Sequence, residues 1–598
     1  MNLNIGQETA KSHKDGPMMV IAGPGSGKTT VIVYRVKHLI DEFNIEPNKI
    51  LVITYTKVAA THMEQRYKRF GMGNVDFSTF HGLFFKILKK HTTISLDSLI
   101  KEDERTYVLK SIIKSLNIEL DEDTLQNISS EISLINNDML SLDYYNSLSI
   151  VNDDFRAIFN GYITYKEENK KIDFDDMLTK CYELFLNNDA ILRKWQSKYK
   201  YIMIDEFQDI NKIQYKLIRL LCQKNQNIYI VGDDDQSIYK FRGARPQFLL
   251  DFPKDFNNVA TAVLDVNYRS SEEIIKVANN IIKHNKMRYN KLIKGVGRSG
   301  NNPILIKCKD IDQEAKYIAN KIKSINISLD EVCIVYRTNI QSRAFVDAFS
   351  LLNIPYRIKE EMPSVYEHFV SKDICAYMGL ALDINDNVSL ERIINKPKRY
   401  ISKGIITQLK GSTPLIEKIL TTNYLKHWQK KPVEELLYHL GSLKKMSPYK
   451  AIKYIRKNIG YNEYVKEYAS YRKISYKGLY EILDELTEAT KNFKSIEEYL
   501  EYVENPPKLN DTKSEGVQLS TIHGVKGLEY KCVFVVSCIE SLMPHEKSQT
   551  DEEIEEERRL FYVAITRAKD TLYLSIIENR YEIKVEPTRF LKGVIKDE

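Results

Sequence analysis

The stretch Ala22-Gly23-Pro24-Gly25-Ser26-Gly27-Lys28-Thr29 constrains this chain more than any other, because few folds can hold it. It follows the apolar run Met18 to Ala22 and opens a segment carrying Ile32, Val36, Leu39 and Ile40 at helical spacing. In that setting the glycines let backbone N–H groups converge on phosphate oxygens. Lys28 reaches the outer phosphates and the Thr29 hydroxyl suits Mg²⁺. Thr30 continues the nucleotide-binding stretch into the helix, and Ala22 replaces the first glycine of the strict pattern with another small residue. A bare glycine turn is the competing reading, and Gly-Lys-Thr between a strand and a helix weighs against it. Loops of this kind sit at the carboxyl edge of a parallel sheet, so an α/β core is required.

Further continuous apolar runs fall at Ile50 to Thr54, Tyr201 to Ile204, Ile228 to Val231, Val332 to Tyr336, Cys532 to Val536 and Leu572 to Leu574. Uninterrupted rather than alternating apolar residues imply strands buried on both faces. At 598 residues the chain exceeds what one core can organise, and two α/β cores are expected. Leu-, Ile-, Lys- and Glu-rich segments at helical spacing separate them and read as insertions. The expected division is core 1A at 1–89 and 191–262, insertion 1B at 90–190, core 2A at 263–357 and 510–598, and insertion 2B at 358–509.

No apolar run reaches the roughly 20 residues of a membrane helix. The N-terminus lacks a secretory pattern, so a cytoplasmic protein is expected. Seven scattered cysteines form no C-x-x-C pair, which disfavours zinc, an iron–sulfur cluster or a disulfide framework and points to buried thiols. A net charge of +7 is weak support for a polyanionic partner, so that inference must rest on motifs.

Asp205 and Glu206 end the apolar run Tyr201 to Ile204. Two acids ending a strand are ordinarily solvated. With a phosphate loop upstream, Asp205 would hold Mg²⁺ while Glu206 orients and deprotonates the attacking water. Asp205-Glu206-Phe207-Gln208-Asp209 and Val231-Gly232-Asp233-Asp234-Asp235-Gln236-Ser237-Ile238-Tyr239 resemble motifs II and III of the UvrD/Rep helicases of superfamily 1. Motif Ia is similar to Ile53-Thr54-Tyr55-Thr56, Ib to Ser78-Thr79-Phe80-His81-Gly82, and IV to Leu264-Asp265-Val266-Asn267-Tyr268-Arg269-Ser270. Motifs V and VI are similar to residues 518–529 and 557–568. The ordered set spans residues 3 to 574.

The resemblance implies two RecA-like cores with parallel sheets, each interrupted by a mostly helical insertion, with ATP and Mg²⁺ between the cores and single-stranded DNA across them. It further implies that Gln7 reads adenine, Tyr268 and Arg35 sandwich it, Glu529 meets the sugar, Gln236 senses the γ-phosphate, and Arg269 and Arg567 act as arginine fingers. For the strand it implies Tyr55, Phe80, Tyr239 and Phe241 as stacking or contact residues, with Thr56, His81, Arg242, Thr521 and His523 near the backbone. Any one of these aromatics taken alone is at least as well suited to a core. The implied activity is 3′ to 5′ DNA unwinding or translocation on single strands and strand–duplex junctions, in repair or replication.

Four departures from the family pattern qualify the resemblance. Motif Ia reads Thr56-Lys57-Val58-Ala59-Ala60, where the family usually has Thr-Asn-Lys-Ala-Ala. Phe241 stands where tryptophan is common, and Pro397-Lys398-Arg399-Tyr400-Ile401-Ser402 stands near a family Arg-Gly-Ile-Gly turn that touches duplex. The chain stops soon after motif VI, without the extension some relatives use for partners. A motor subunit of a nuclease or defence complex, a translocase that displaces proteins without unwinding, and RNA as the strand therefore stay open as alternatives.

Overall fold

The computed structural model describes residues 3–593 apart from 117, 119–121, 359–364, 410, 412, 413, 473 and 506–514. Strands β1 (Met18–Ala22), β2 (Ile50–Thr54), β3 (Asp76–Thr79), β4 (Tyr201–Ile204), β5 (Ile228–Gly232) and β6 (Ala260–Leu264) form one parallel sheet in the order β3-β2-β4-β5-β1-β6. A second parallel sheet, β7-β12-β11-β8-β10-β9, joins β7 (Ile304–Cys308), β8 (Val332–Tyr336), β9 (Tyr356–Ile358), β10 (Val517–Thr521), β11 (Tyr530–Val535) and β12 (Ala568–Ile577).

Strand periodicity explains why these runs are apolar throughout. Successive side chains point to opposite faces, so in the first sheet Met19, Ile21, Leu51, Ile53, Ile202 and Ile204 pack one way. Their neighbours Met18, Val20, Ile50, Val52, Met203 and Val231 pack the other way, against Ile32, Val36 and Leu39 of the helix Lys28–Asp41. Burying each such side chain is worth about 1.5–3 kcal/mol, and helices on both faces make the whole run contribute. The second sheet repeats the device. Cys333, Val335, Val533 and Leu572 meet Ile274, Ile281 and Phe561 on one side, while Ile334, Leu519 and Phe534 meet Ile318 and Phe345 on the other.

Both insertions are helical, each with its own core. That of the second runs from Val370 to Tyr499. In the first, the separate core runs only from Ile100 to Tyr162. The helix Phe174–Asn187, which the sequence assigns to that insertion, instead packs Leu178, Cys181 and Phe185 into the core of the first sheet beside Leu83, Phe84 and Ile87. Six of the seven cysteines are buried as free thiols, and none of the described helices is long and apolar enough to cross a membrane.

Candidate nucleotide site and nucleic-acid interface

The loop after β1 is built by its glycines. Gly25 has φ 65° and Gly27 φ 82°, left-handed conformations that cost a side chain strain. A Cβ on Gly25 would also stand 2.7 Å from Asn267 Oδ1 and from Arg269 Cβ, so the loop touches the second core directly. Its Gly25 carbonyl accepts a hydrogen bond from Tyr268 N (3.0 Å), Gly23 N donates to Leu264 O (2.9 Å), and Ser26 Oγ donates to Gly23 O (2.8 Å). Behind the loop, Gln7 Nε2 donates to Ser26 O (3.0 Å) while its Oε1 accepts from Asn4 N, a capping box on the helix Ile5–Ser12. Asn4 also donates to the hydroxyl of Tyr268, which is half-exposed at the rim. Thr29 and Thr30 lie in the first turn of the helix that Lys28 opens.

At the end of β4, Lys28 Nζ lies 3.2 Å from Glu206 Oε2. Glu206 itself has φ 52° and ψ 42°, a strained backbone for a residue with a side chain, of the kind that gathers at functional sites. Burial pushes the Glu206 carboxyl up, but Lys28 and Lys526 more than offset it and hold it below the usual carboxylate range. Asp205 moves the other way, raised by burial and then by the charge of Glu206. A carboxylate disfavoured by its surroundings, close to the Thr29 helix turn, suits a divalent cation, and Thr29 with Asp205 is the pair that would hold one.

The second core supplies the facing charges. Buried Arg567 donates to Gln236 Oε1 (3.0 Å), to Val563 O (3.0 Å) and to Leu528 O (3.2 Å), and burial and then Arg269 pull its pKa down to about 9. A buried guanidinium with a second one beside it forms a receptor for an anion, and the glycine cradle opposite fits phosphate. Arg269 donates meanwhile to Glu529 Oε2 (2.6 Å), and Lys569 meets the other oxygen of that carboxylate, Oε1, at 3.0 Å. Gln236 Nε2 donates to Asp233 Oδ2 (2.5 Å).

Three residues beyond Gln236, Tyr239 begins an aromatic surface. It stacks on Tyr55 at 5.6 Å with an interplanar angle of 6°, lies 6.2 Å from the His523 ring, and its hydroxyl donates to His523 O (3.5 Å). Phe241 stands edge-on to His523 at 5.2 Å and is 57% exposed. Arg242 lies over both Tyr239 and Phe241, at 5.3 and 5.4 Å. Burial, then Arg337 and Arg242, lower the His523 pKa to about 4, so this ring is neutral at physiological pH. Thr56 is exposed and caps the helix Lys57–Lys68, accepting from Ala59 N, and His81 is part-buried, edge-on to Phe174 at 6.0 Å.

Three expectations require correction. Arg35 is 2% exposed and donates to the carbonyls of His13 and Lys14, its guanidinium 4.5 Å from the Tyr229 ring. Tyr229 pairs with Met18, the first residue of β1, whereas the phosphate loop leaves its last, Ala22. Four residues of strand put about 13 Å between them, and a guanidinium buried against that ring and bonded to two carbonyls has no face left to sandwich a base. Phe80 is 3% exposed, packed against Phe84 within the first core, and has no face for a nucleobase. Thr521 is 5% exposed at the end of β10, its hydroxyl accepting from Gly524 N (3.1 Å), so a strand would not reach that side chain.

Sequence reasoning left Lys526 without a role. Its ammonium meets Asp209 Oδ2 (2.5 Å), donates to Gln236 O (2.7 Å) and lies 4.6 Å from the Tyr239 ring, joining the phosphate side to the aromatic side. The available signal was chemical: Asp209 follows a buried strand and needs a cation.

This geometry accompanies clear relationships. The family model of the UvrD/REP helicase N-terminal domain matches residues 3–257, and that of the UvrD-like helicase C-terminal domain matches residues 262–579. The chain belongs to the UvrD/Rep helicase family. The protein YjcD of Bacillus subtilis (strain 168) is 33% identical over 621 residues, covering 100% of this chain and 81% of that relative. ATP-dependent DNA helicase PcrA of Staphylococcus epidermidis is 31% identical over 642 residues, covering 100% and 87%. A probable DNA helicase II homolog of Rickettsia conorii is 32% identical over 631 residues, covering 99% and 96%. In this UvrD/Rep helicase the first sheet thus presents its groups on loops at strand carboxyl ends, while Glu529 and Arg567 of the second core stand just before β11 and β12.

Proposed function

We propose that this helicase hydrolyses ATP with Mg²⁺ in the cleft between its two cores and uses the resulting closure and opening to move 3′ to 5′ along single-stranded DNA, unwinding duplex ahead of it. The observation that carries the reading is the run from Gln236 to Tyr239. Gln236 meets Arg567 at 3.0 Å, and Lys526 bonds its carbonyl while lying against the Tyr239 ring, so a displacement at the phosphate side reaches the aromatic side through three residues. Phosphoryl transfer needs positioned positive charge, which Lys28, Arg269 and Arg567 would supply, with Glu206 orienting water. The Lys28–Glu206 pair supports an ordered sequence. Once Lys28 turns to phosphate, Glu206 loses its strongest cation and its pKa rises toward that of a working base. Base stacking on Tyr239 and Phe241 with Arg242 near the backbone supports sequence-independent grip.

Buried free thiols fit a cytoplasmic setting, and strand–duplex junctions are the proposed substrate, with a nuclease or repair protein as partner. The test is unwinding of duplexes tailed at the 3′ or the 5′ end, alongside ATP turnover with and without single strands. Unwinding from the 3′ tail alone is expected. Unwinding from the 5′ tail would refute the polarity, and strand-stimulated turnover without unwinding would favour a translocase.

A further inference from the structure

Asp233, Asp234 and Asp235 follow β5 as three consecutive carboxylates, each 0% exposed. Their ligand oxygens lie within 4.8 Å of one another, an arrangement that attracts a cation. That place is taken by Lys291, whose ammonium is 3.1 Å from Asp233 Oδ1 and 2.9 Å from Asp235 Oδ2 and also contacts Asp234. Arg288 adds a two-pronged pair to Asp235 at 2.8 and 2.7 Å, and Asp234 accepts from Tyr289 N (2.6 Å). Burial pulls the Lys291 pKa down, but the three aspartates outweigh it and keep the ammonium charged.

The carboxylates belong to the first core, and the cations sit on a segment that leaves the second core and plants Tyr289 between them in the first, its hydroxyl donating to Leu250 O (3.3 Å). Residues 285–291 follow the helix Glu272–Ile282, which packs against the helix Asp551–Ile565. They are further tied to that helix by Asn285 Nδ2 to Glu555 O (2.9 Å), Arg558 Nε to Asn285 Oδ1 (2.9 Å) and Arg559 Nη2 to Met287 O (2.9 Å). The same helix ends two residues before Arg567. Gln236 is therefore held from two sides by groups joined to the helix Asp551–Ile565: directly by Arg567 on its Oε1, and through Asp233, which Lys291 grips, on its Nε2.

We propose that Lys291 is a positioning residue for hydrolysis, setting Gln236 through Asp233 so that the amide faces the outer phosphate only when the second core is seated. A surface ion pair would not do this. A fully buried one fixes a single geometry, and removing one partner leaves charge stranded in the other core. The inference rests on the reading of Gln236 as γ-phosphate sensor.

The experiment compares Lys291→Met, Gln236→Ala and the double variant in the full chain. It measures single-strand-stimulated kcat, KM for ATP, and the ratio of affinities for a non-hydrolysable ATP analogue and ADP. Outer-shell partners that orient metal ligands cost about 10–100-fold when removed, and Lys291→Met, which removes a comparable orienting contact, should lose kcat in that range with KM nearly unchanged. Its preference for triphosphate over diphosphate should shrink, Lys291→Arg should recover part of the loss, and the double variant should be little worse than Gln236→Ala. Full multiplication of the two effects, or wild-type kcat in folded Lys291→Met beside a slow Gln236→Ala, would overturn the proposal alone. Wild-type turnover in Gln236→Ala would overturn the sensor reading beneath it. If Lys291→Met does not fold, Asp233→Asn keeps the shape and removes the charge that Lys291 grips. The same kcat loss and non-additivity are expected of it, and wild-type turnover there overturns the proposal.

Discussion

Phe241 and Phe80 are two phenylalanines that the family pattern treats alike and the structure does not. Phe241 is 57% exposed with one edge on His523, so truncation to alanine removes a stacking face and little buried area. Stacking of a base on an aromatic ring is worth about 1–3 kcal/mol, and Phe241→Ala should therefore weaken single-strand binding by roughly 5- to 150-fold with melting temperature unchanged. Phe80 is 3% exposed among Phe84, Leu83 and their neighbours. Phe80→Ala should cost about 3–5 kcal/mol of stability, read as a lowered urea midpoint. In the fraction that stays folded, strand affinity should be within about twofold of wild type, because side chains at the surface are untouched. The assay is anisotropy of a labelled oligothymidylate at one fixed salt concentration, paired with urea unfolding of each variant. Loss of strand affinity in Phe80→Ala without loss of stability, or unaltered binding in Phe241→Ala, would refute the assignment of surface and core.

Lys28→Ala, Glu206→Gln and Arg567→Lys should each reduce strand-stimulated phosphate release by at least about 10³-fold while circular dichroism stays native, since phosphoryl transfer relies on positioned charge. Arg35→Met should leave KM for ATP unchanged but lower stability by about 1–3 kcal/mol, because two backbone carbonyls lose their donor; a raised KM would restore Arg35 to the nucleotide site. His523 has a folded pKa near 4 against about 6.5 unfolded, so on acidification the unfolded chain takes the proton first and stability from this group is lost as pH falls from 6.5 toward 4. Strand affinity measured from pH 7.5 to 5.5 should accordingly show no rise attributable to a charged imidazole at this position, and a rise abolished by His523→Gln would contradict a neutral ring.

Much of this was legible in the sequence because buried parallel strands and a glycine loop leave few alternatives. The corrected residues carried a readable signal as well. Arg35 lies three residues after Ile32 and four before Leu39, on the apolar stripe of its helix, and Phe80 forms a stripe with Leu83, Phe84 and Ile87. Family correspondence outweighed periodicity at both positions, and periodicity was right. Lys291 and Lys526 sit in irregular segments without periodicity, and only the need of buried aspartates for cations points to them. The stripe Leu178, Cys181 and Phe185 announces burial of a helix face, yet no spacing says which core receives it.

The rooting of the helix Phe174–Asn187 in the first sheet bears on how the first insertion could be removed or exchanged. Excision at 90–190 would tear Leu178, Cys181 and Phe185 from the motor and leave an apolar scar, at about 1.5–3 kcal/mol for each large side chain lost. Cuts placed near Ile100 and beyond Tyr162 would instead follow the seam between two cores, provided that a replacement module supplies cations where Arg105 and Lys166 now meet Asp173, Asp175 and Asp176.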